Sequence, residues 1–422
     1  MTRRPSLASL AVNAALLTLI AANAHAAGFL LFQHGGRATG QAGAFTARAS
    51  DPSAVFYNPA GIAHLEGLQL EAGLDFGIAD DTFHLDDVQY AAKHDINFPP
   101  SVYLTWKPHD SAFTFGLGVD SPIWHTENWL PALFPRAGQA RSFETRFLQL
   151  HPVLAWEIGE RWSFGAGFSY VSGQLQDDHR QLTTAGSGAS RFIVETERSS
   201  KADGDGWAFD LGLQYREDAW GWGATLRSGG EVSGNSRNEA RVDGFVPPGR
   251  DSEAQAAAAA LTGTPDDLSF ELPPQLSAGV WWAPYPELRF EADLDFQAWS
   301  QADNQARFAR ACGPVACPVS DRDWNDTLSI RLALEGNVTD AFRLAGGLAW
   351  EPSPVPSNRL EPGFPRGDAY VYAIGLGYDY PWLSFDVGYS YHDHQNRHEP
   401  GPNSGTYSAS EQVFSIGARW RF

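Results

Sequence analysis

Leu288-Arg289-Phe290-Glu291-Ala292-Asp293-Leu294-Asp295-Phe296 alternates without a break. Leu288, Phe290, Ala292, Leu294 and Phe296 fall on one face, and Arg289, Glu291, Asp293 and Asp295 on the other. A period of two over this length specifies a β-strand with one apolar and one charged face. The pattern recurs in both directions. Leu68-x-Leu70-x-Ala72-x-Leu74-x-Phe76-x-Ile78 is the first such run, and Phe414-x-Ile416-x-Ala418-x-Trp420-x-Phe422 is the last. Leu328 to Leu334, Tyr370 to Tyr378 and Leu383 to Tyr391 are others. From Gly67 onward the runs number roughly fourteen, of the ten-residue kind that crosses an outer membrane.

Short and long links alternate between the runs. Gly159-Glu160-Arg161, Glu217-Asp218 and Pro284-Tyr285-Pro286 are short. Residues 81–97, 121–142, 176–204, 233–267, 301–322, 352–366 and 393–408 read as long loops. Tight turns on one side and long loops on the other are the signature of an outer-membrane barrel, whose short turns are periplasmic. Trp106, Trp156, Trp162, Trp220, Trp282, Tyr285, Tyr380 and Trp382 sit beside the short turns, as an interfacial aromatic belt would. Backbone groups find no water in lipid, so the strands must close on themselves without a free edge. A soluble sandwich would not require the alternation of link lengths, and no blade repeat marks a propeller.

The chain begins with Arg3-Arg4, an apolar stretch from Leu7 to Ile20 and Ala24-His25-Ala26, the organisation of a secretory signal peptide ending at residue 26. The formal charge of −20 excludes nucleic acid as a natural partner. The mean hydropathy of −0.30 fits a barrel as well as a soluble protein, because alternation averages out. Cys312 and Cys317 bracket a Gly/Pro-containing loop, and in an exported chain they are expected to form a local disulfide.

Residues 27–67 follow neither period. The segment is rich in Gly and small residues but carries Phe29, Leu30, Leu31, Phe32, Val55 and Phe56, which need something to pack on. A place inside the barrel provides it; a docking patch on the periplasmic side is the competing reading. Here Ala27-Gly28-Phe29, Asp51-Pro52-Ser53-Ala54-Val55-Phe56-Tyr57-Asn58-Pro59-Ala60-Gly61 and Trp350-Glu351-Pro352-Ser353-Pro354 resemble the FadL family of outer-membrane transporters for long-chain fatty acids and other hydrophobic compounds. The resemblance implies a signal peptide over 1–26, an N-terminal hatch over 27–67 and a 68–422 transmembrane β-barrel of about fourteen antiparallel strands, with Asn58-Pro59-Ala60 as the hatch motif. It also implies capture on surface loops, an apolar lumen pocket and lateral exit through a gap where the third strand kinks. That kink falls around Gly116, Gly118, Ser121 and Pro122, and Gly and Pro there weaken pairing; a plain strand end with a turn is the bland reading.

Trp124, Trp129, Leu130, Leu133 and Phe134 make the following loop apolar, as a surface that captures a hydrophobic ligand would be. The same residues would serve equally to pack the loop on its neighbours. Fatty-acid transporters of the family place cations near the ligand head group. Tyr170-Val171-Ser172-Gly173-Gln174 offers none, and Asp321, Asp323 and Asp326 are acidic. Arg331 and Arg343 are the candidates, unless they pair with Glu335 or Asp386. Fatty acid therefore leads an aromatic or aliphatic hydrocarbon only narrowly. His392-x-His394 with His398 reads as solvated in preference to a metal site, and no cofactor is expected. Gly35 to Gly43 lacks the Lys-Ser/Thr of a phosphate loop. An outer-membrane lipid hydrolase is the alternative of another class, and a general porin a third. The expected partners are a hydrophobic ligand, outer-membrane lipid and the barrel assembly machinery, around a monomer.

Overall fold

The apolar faces point outward. Leu294 and Phe296 are 44% and 38% exposed, whereas Asp293 and Asp295 between and beside them are 1% and 4% exposed. The computed structural model describes residues 33–129, 140–262, 267–302, 323–360, 362–398 and 405–422. In it one antiparallel sheet closes into a barrel of 14 wall strands. These are β1 (Gly67–Leu85), β2 (Val88–Ala91, Ile96–Asn97 and Pro100–Lys107), β3 (Phe113–Asn128), β4 (Ala140–Ile158) and β5 (Trp162–Ala185). Next come β6 (Phe192–Arg216), β7 (Trp220–Arg227 and Gly230–Val242), β8 (Asp267–Leu272 and Gln275–Tyr285), β9 (Leu288–Gln297) and β10 (Thr327–Asn337). β11 (Phe342–Glu351), β12 (Ala369–Asp379), β13 (Leu383–His398) and β14 (Thr406–Arg421) complete the wall. Closure comes from β1 pairing with β14, from Gln69 opposite Arg421 to His84 opposite Thr406. Among the described residues no helix is long and apolar enough to cross a membrane, so crossing falls to the strands.

The strands are longer than the alternation indicated. β5 has 24 residues and β6 has 25, and they pair from Trp162 opposite Tyr215 up to Ala185 opposite Phe192. Residues 176–204, expected as a loop, are thus a tall hairpin with a link of a few residues. At about 3.3 Å per residue it extends well past the roughly 30 Å hydrocarbon layer even when tilted. Above the lipid the outward face has no reason to be apolar, so the pattern fades while the hydrogen-bond ladder continues. β7 breaks at Ser228-Gly229, where Gly229 has φ +70°, and β8 breaks beside it at Pro273-Pro274, which have no N–H to donate.

The segment before β1 runs inside the wall. Nearly every residue from Gln33 to Ala63 is buried. Its regular elements are short: α1 (Gly36–Thr39), α2 (Ala54–Tyr57) and a 3-10 turn over Pro59–His64. They pack on inward-facing glycines all round the barrel. Gly36 lies against Gly388 on β13, Gly40 against Gly375 on β12, Gln41 against Gly347 on β11 and Pro59 against Gly165 on β5. Val55 and Phe56 are in one apolar cluster with Phe45, Ile62 and the wall residues Tyr103 and Val153.

Candidate functional site

A cavity of about 1110 Å³, measured out to its open mouth, lies above the inner segment. Apolar side chains line it, among them Trp124, Val355, Phe364, Pro365 and Val413. Its floor includes Gln33, and part of its rim is Asn97 of β2 and Pro99 in the interruption after it, facing Trp124 and His125 of β3. Those two strands are not joined at that height. The β2–β3 ladder runs only from Trp106 opposite Phe115 to Val102 opposite Val119. From Asp120 to Glu127 β3 has no ladder partner on β2; pairing resumes at the single bridge between Ala92 and Trp129, beside the Lys93 N–H donated to Asn128 O at 2.7 Å.

The local cause is a bulge. On its other side β3 pairs Asp120 with Gln149 but Ile123 with Phe147, so β3 carries one residue more than β4 over this interval. The extra residue lies at Ser121-Pro122, and the Ser121 hydroxyl donates to Phe147 O at 2.6 Å, holding the bend. A bulge reverses which residues face in. Thr114, Gly118 and Asp120 point inward below it, and Ile123, His125, Glu127 and Trp129 above it. Gly116 and Gly118 lie lower, where a Cβ would press on Val55 of the inner segment. Their role at this position is close approach of the inner segment, and the bend itself belongs to Ser121 and Pro122.

Among the described residues the guanidinium at the cavity is that of Arg366, on the link between β11 and β12. Its Nε and Nη2 donate to both Asp81 carboxylate oxygens at 3.0 Å, and its Nη1 donates to Glu411 at 2.9 Å. Glu127 stands 3.8 Å away. Burial opposes the guanidinium charge, but Asp81, Glu411 and Glu127 outweigh it and hold Arg366 above its ordinary value. One cation thus joins β1, β3 and β14 to a loop, and three carboxylates already claim it. Nothing in the alternation singled it out; the lone cation in Pro362-Gly363-Phe364-Pro365-Arg366-Gly367 was the available signal.

The sequence profile of the outer membrane protein transport protein family (OMPP1/FadL/TodX) matches residues 17–422. The chain belongs to this family. The long-chain fatty acid transport protein of Escherichia coli O6:H1 is 23% identical over 97% of this chain and 96% of its own. Among solved structures, a Pseudomonas aeruginosa FadL homologue has the same fold, with a TM-score of 0.79 at 18% identity over 93% of this chain and 99% of that one. The P. putida toluene transporter TodX gives 0.69 at 16% identity, covering 95% and 99%. The protein is therefore an outer-membrane transport barrel.

Against this family frame the expected residues divide. Asn58 anchors the inner segment: its Nδ2 donates to Thr46 O at 3.0 Å and to Leu213 O of β6 at 3.3 Å, while its Oδ1 accepts from Ala60 N at 3.1 Å. Pro59 and Ala60 lie where a Cβ on Gly165 would overlap them. Trp124, on the outward face of β3, borders the cavity at the gap and lies under the half-exposed Arg146 guanidinium at 5.5 Å. Trp129 corrects the expectation of a surface capture residue. It is 1% exposed, donates its indole N–H to Pro362 O at 2.8 Å and meets Tyr407 edge-on, so it packs the upper loops together. Leu130, Leu133, Phe134, Cys312 and Cys317, and the start of the chain through Phe32, lie outside the described residues.

Arg331 and Arg343 are likewise not at the cavity. Arg331 is fully buried, bonded to Asp295 and Glu351 at 2.7 Å and to Ala42 O at 2.8 Å. Arg343 holds Asp379, Asp386 and Glu335. Both act in the ion network that fastens the inner segment, in which Arg37 grips both Glu335 oxygens at 2.9 Å and Arg48 the same carboxylate at 2.7 Å. His392 and His394 line the cavity, His394 contacting Gly367 O at 3.0 Å, where the sequence suggested solvated surface.

Proposed function

We propose that this barrel passively admits hydrophobic compounds, taking them from the upper loops into the Trp124–Phe364 cavity and releasing them sideways between β2 and β3. The supporting observation is that the cavity rim includes both strands just where their ladder is interrupted. An apolar ligand gains roughly 25 cal/mol for each Å² it buries there. The charge at the cavity favours an uncharged or weakly polar ligand over a fatty acid. Among the described residues Asp75, Glu351 and Glu411 line it against one guanidinium, and Arg366 is already bound to Asp81 and Glu411. A ligand carboxylate would have to displace one of them. The fatty-acid reading rests on the E. coli relative, at 23% identity.

The test removes the bulge. Deleting Pro122 restores equal residue counts on β3 and β4 and should close the lateral opening. Uptake of radiolabelled toluene and oleate by cells producing each form would be compared, with heat-shifted gel migration reporting the folded barrel. Unchanged uptake by a folded deletion variant would end the lateral route. Oleate transport that exceeds toluene transport and is lost in Arg366→Gln would instead establish the fatty-acid reading.

A hydrolytic reading has one observation behind it. Ser390 Oγ lies 3.1 Å from His392 Nε2, and His392 Nδ1 lies 3.7 Å from Glu351. Ser390 is nevertheless fully buried, and its hydroxyl donates to Gln33 Oε1 at 2.7 Å. A nucleophile needs access and a base free to take its proton. The barrel is accordingly read as a transporter without catalysis, and ester hydrolysis abolished by Ser390→Ala would overturn this.

A further inference from the structure

A second cavity opens at the end of the barrel that carries the short turns, enclosing about 1090 Å³ out to solvent. Its lining is dominated by arginines, against the acidic character of the whole chain. Arg37 and Arg48 come from the inner segment, Arg216 from the end of β6, Arg289 from the start of β9, Arg343 from the start of β11, where it is paired with Asp379, Asp386 and Glu335, and Arg419 and Arg421 from the end of β14. Several are neutralised: Glu335 takes Arg37 and Arg48, and Asp379 lies within 4 Å of Arg419 and Arg421. Two are not. Arg216 forms no ion pair among the described residues; its Nη2 donates to the backbone carbonyls of Arg48 at 2.6 Å and Ala49 at 3.3 Å. Arg289 reaches only Glu335, at 3.8 Å, and its side chain is 35% exposed.

The hydrogen-bond account points the same way. The Nε–H groups of Arg48, Arg216 and Arg419 are buried and donate no hydrogen bond, Arg48 Nε standing 3.5 Å from Glu291. Buried donors require acceptors. Glu217, Asp340 and Asp379 also line the cavity, but Glu217 is held by Arg161 at 2.8 Å, Asp379 is shared by Arg343, Arg419 and Arg421, and Asp340 lies on the exposed turn after β10. Guanidinium forks match oxyanions in both charge and geometry. Donors arriving from three strands and the inner segment suit a tetrahedral oxyanion better than a planar carboxylate, which has only two oxygens to offer.

We propose that this arginine-lined mouth is a binding site for a phosphate-type oxyanion, free or as a lipid head group, bridging the inner segment to β6, β9 and β14. The proposal is independent of what crosses the upper cavity. Calorimetric titration of inorganic phosphate into the purified full-length barrel in detergent at low salt should show one phosphate bound per barrel. Arg289→Gln with Arg421→Gln should weaken binding at least tenfold, and Arg289→Lys, which keeps charge but loses the fork, should weaken it less. Titration with short-chain phosphatidylglycerol in competition separates the sources: displacement of phosphate assigns the site to a lipid head group, and no displacement assigns it to the free anion. No heat from phosphate on the unmodified protein would overturn the proposal. So would undiminished binding by the double variant with folded-barrel gel migration.

Discussion

Replacing Arg366 by Gln removes the one cation that Asp81, Glu127 and Glu411 share. Asp81 and Glu127 side chains are 2% and 1% exposed, so they cannot turn to water when the cation goes. Each contact near 3 Å has a gross attraction of about 5 kcal/mol at an effective dielectric of about 20. Most of that is offset by desolvation already incurred. The net loss on breaking a buried pair from one side is about 3–5 kcal/mol, because a charge remains buried without a partner. The 14-strand ladder does not depend on Arg366, so the loss should fall on the link between β11 and β12 that carries it. About 3 kcal/mol corresponds to a change of more than a hundredfold in the population of the open link. Hydrogen–deuterium exchange over residues 352–368 should accelerate by that factor, while exchange in β9 and β10 stays unchanged. Arg366→Gln combined with Asp81→Asn should recover much of the protection. Wild-type protection in the single variant at neutral pH would refute the reasoning.

The inner segment offers sharper handles. Asn58→Ala loses three hydrogen bonds and leaves the Thr46 and Leu213 carbonyls short of a donor, a cost of about 2–3 kcal/mol; protease access to residues 33–66 should rise while the barrel still migrates as folded. Gly165→Leu places a side chain where Pro59 and Ala60 lie, so the segment must shift, and conductance in planar bilayers should increase above that of the parent. Trp129→Ala should loosen the upper loops at a cost of about 3–5 kcal/mol. Trp124→Ala should instead leave stability nearly unchanged and weaken ligand binding, and equal effects of the two on binding would show that Trp129 also meets ligand.

How much the sequence revealed follows from which solvent each face meets. In Leu288 to Phe296 the outward residues touch lipid and the inward ones touch the polar surface of the inner segment, so both faces are under constraint and the period of two is plain. In residues 176–204 the outward face meets water. Leu182 and Ile193 are more than half exposed there beside polar neighbours, the alternation dissolves, and a ladder of ordinary strength became invisible. The ions divide on the same principle. Arg331 and Arg343 stood out because they alternate inward within strands, yet that regularity is what commits them. Arg331 faces Asp295 on the neighbouring strand and a carbonyl of the inner segment, and Arg343, near the short-turn end, is shared by Glu335 and Asp386, so neither reaches the upper cavity. Arg366 carries no periodicity, since its position is set by how a Gly/Pro-rich link folds back over three separate strands. The bulge was half legible for a related reason. Pro122 announces a defect in pairing, but whether a defect opens the wall depends on β2 also lacking a partner opposite it, and β2 is interrupted between Asn97 and Pro100 by Phe98 and Pro99. A gap in a closed sheet is a property of two strands at one height. Reading either strand alone locates the weakness, and only their register shows that the two weaknesses coincide beside the cavity.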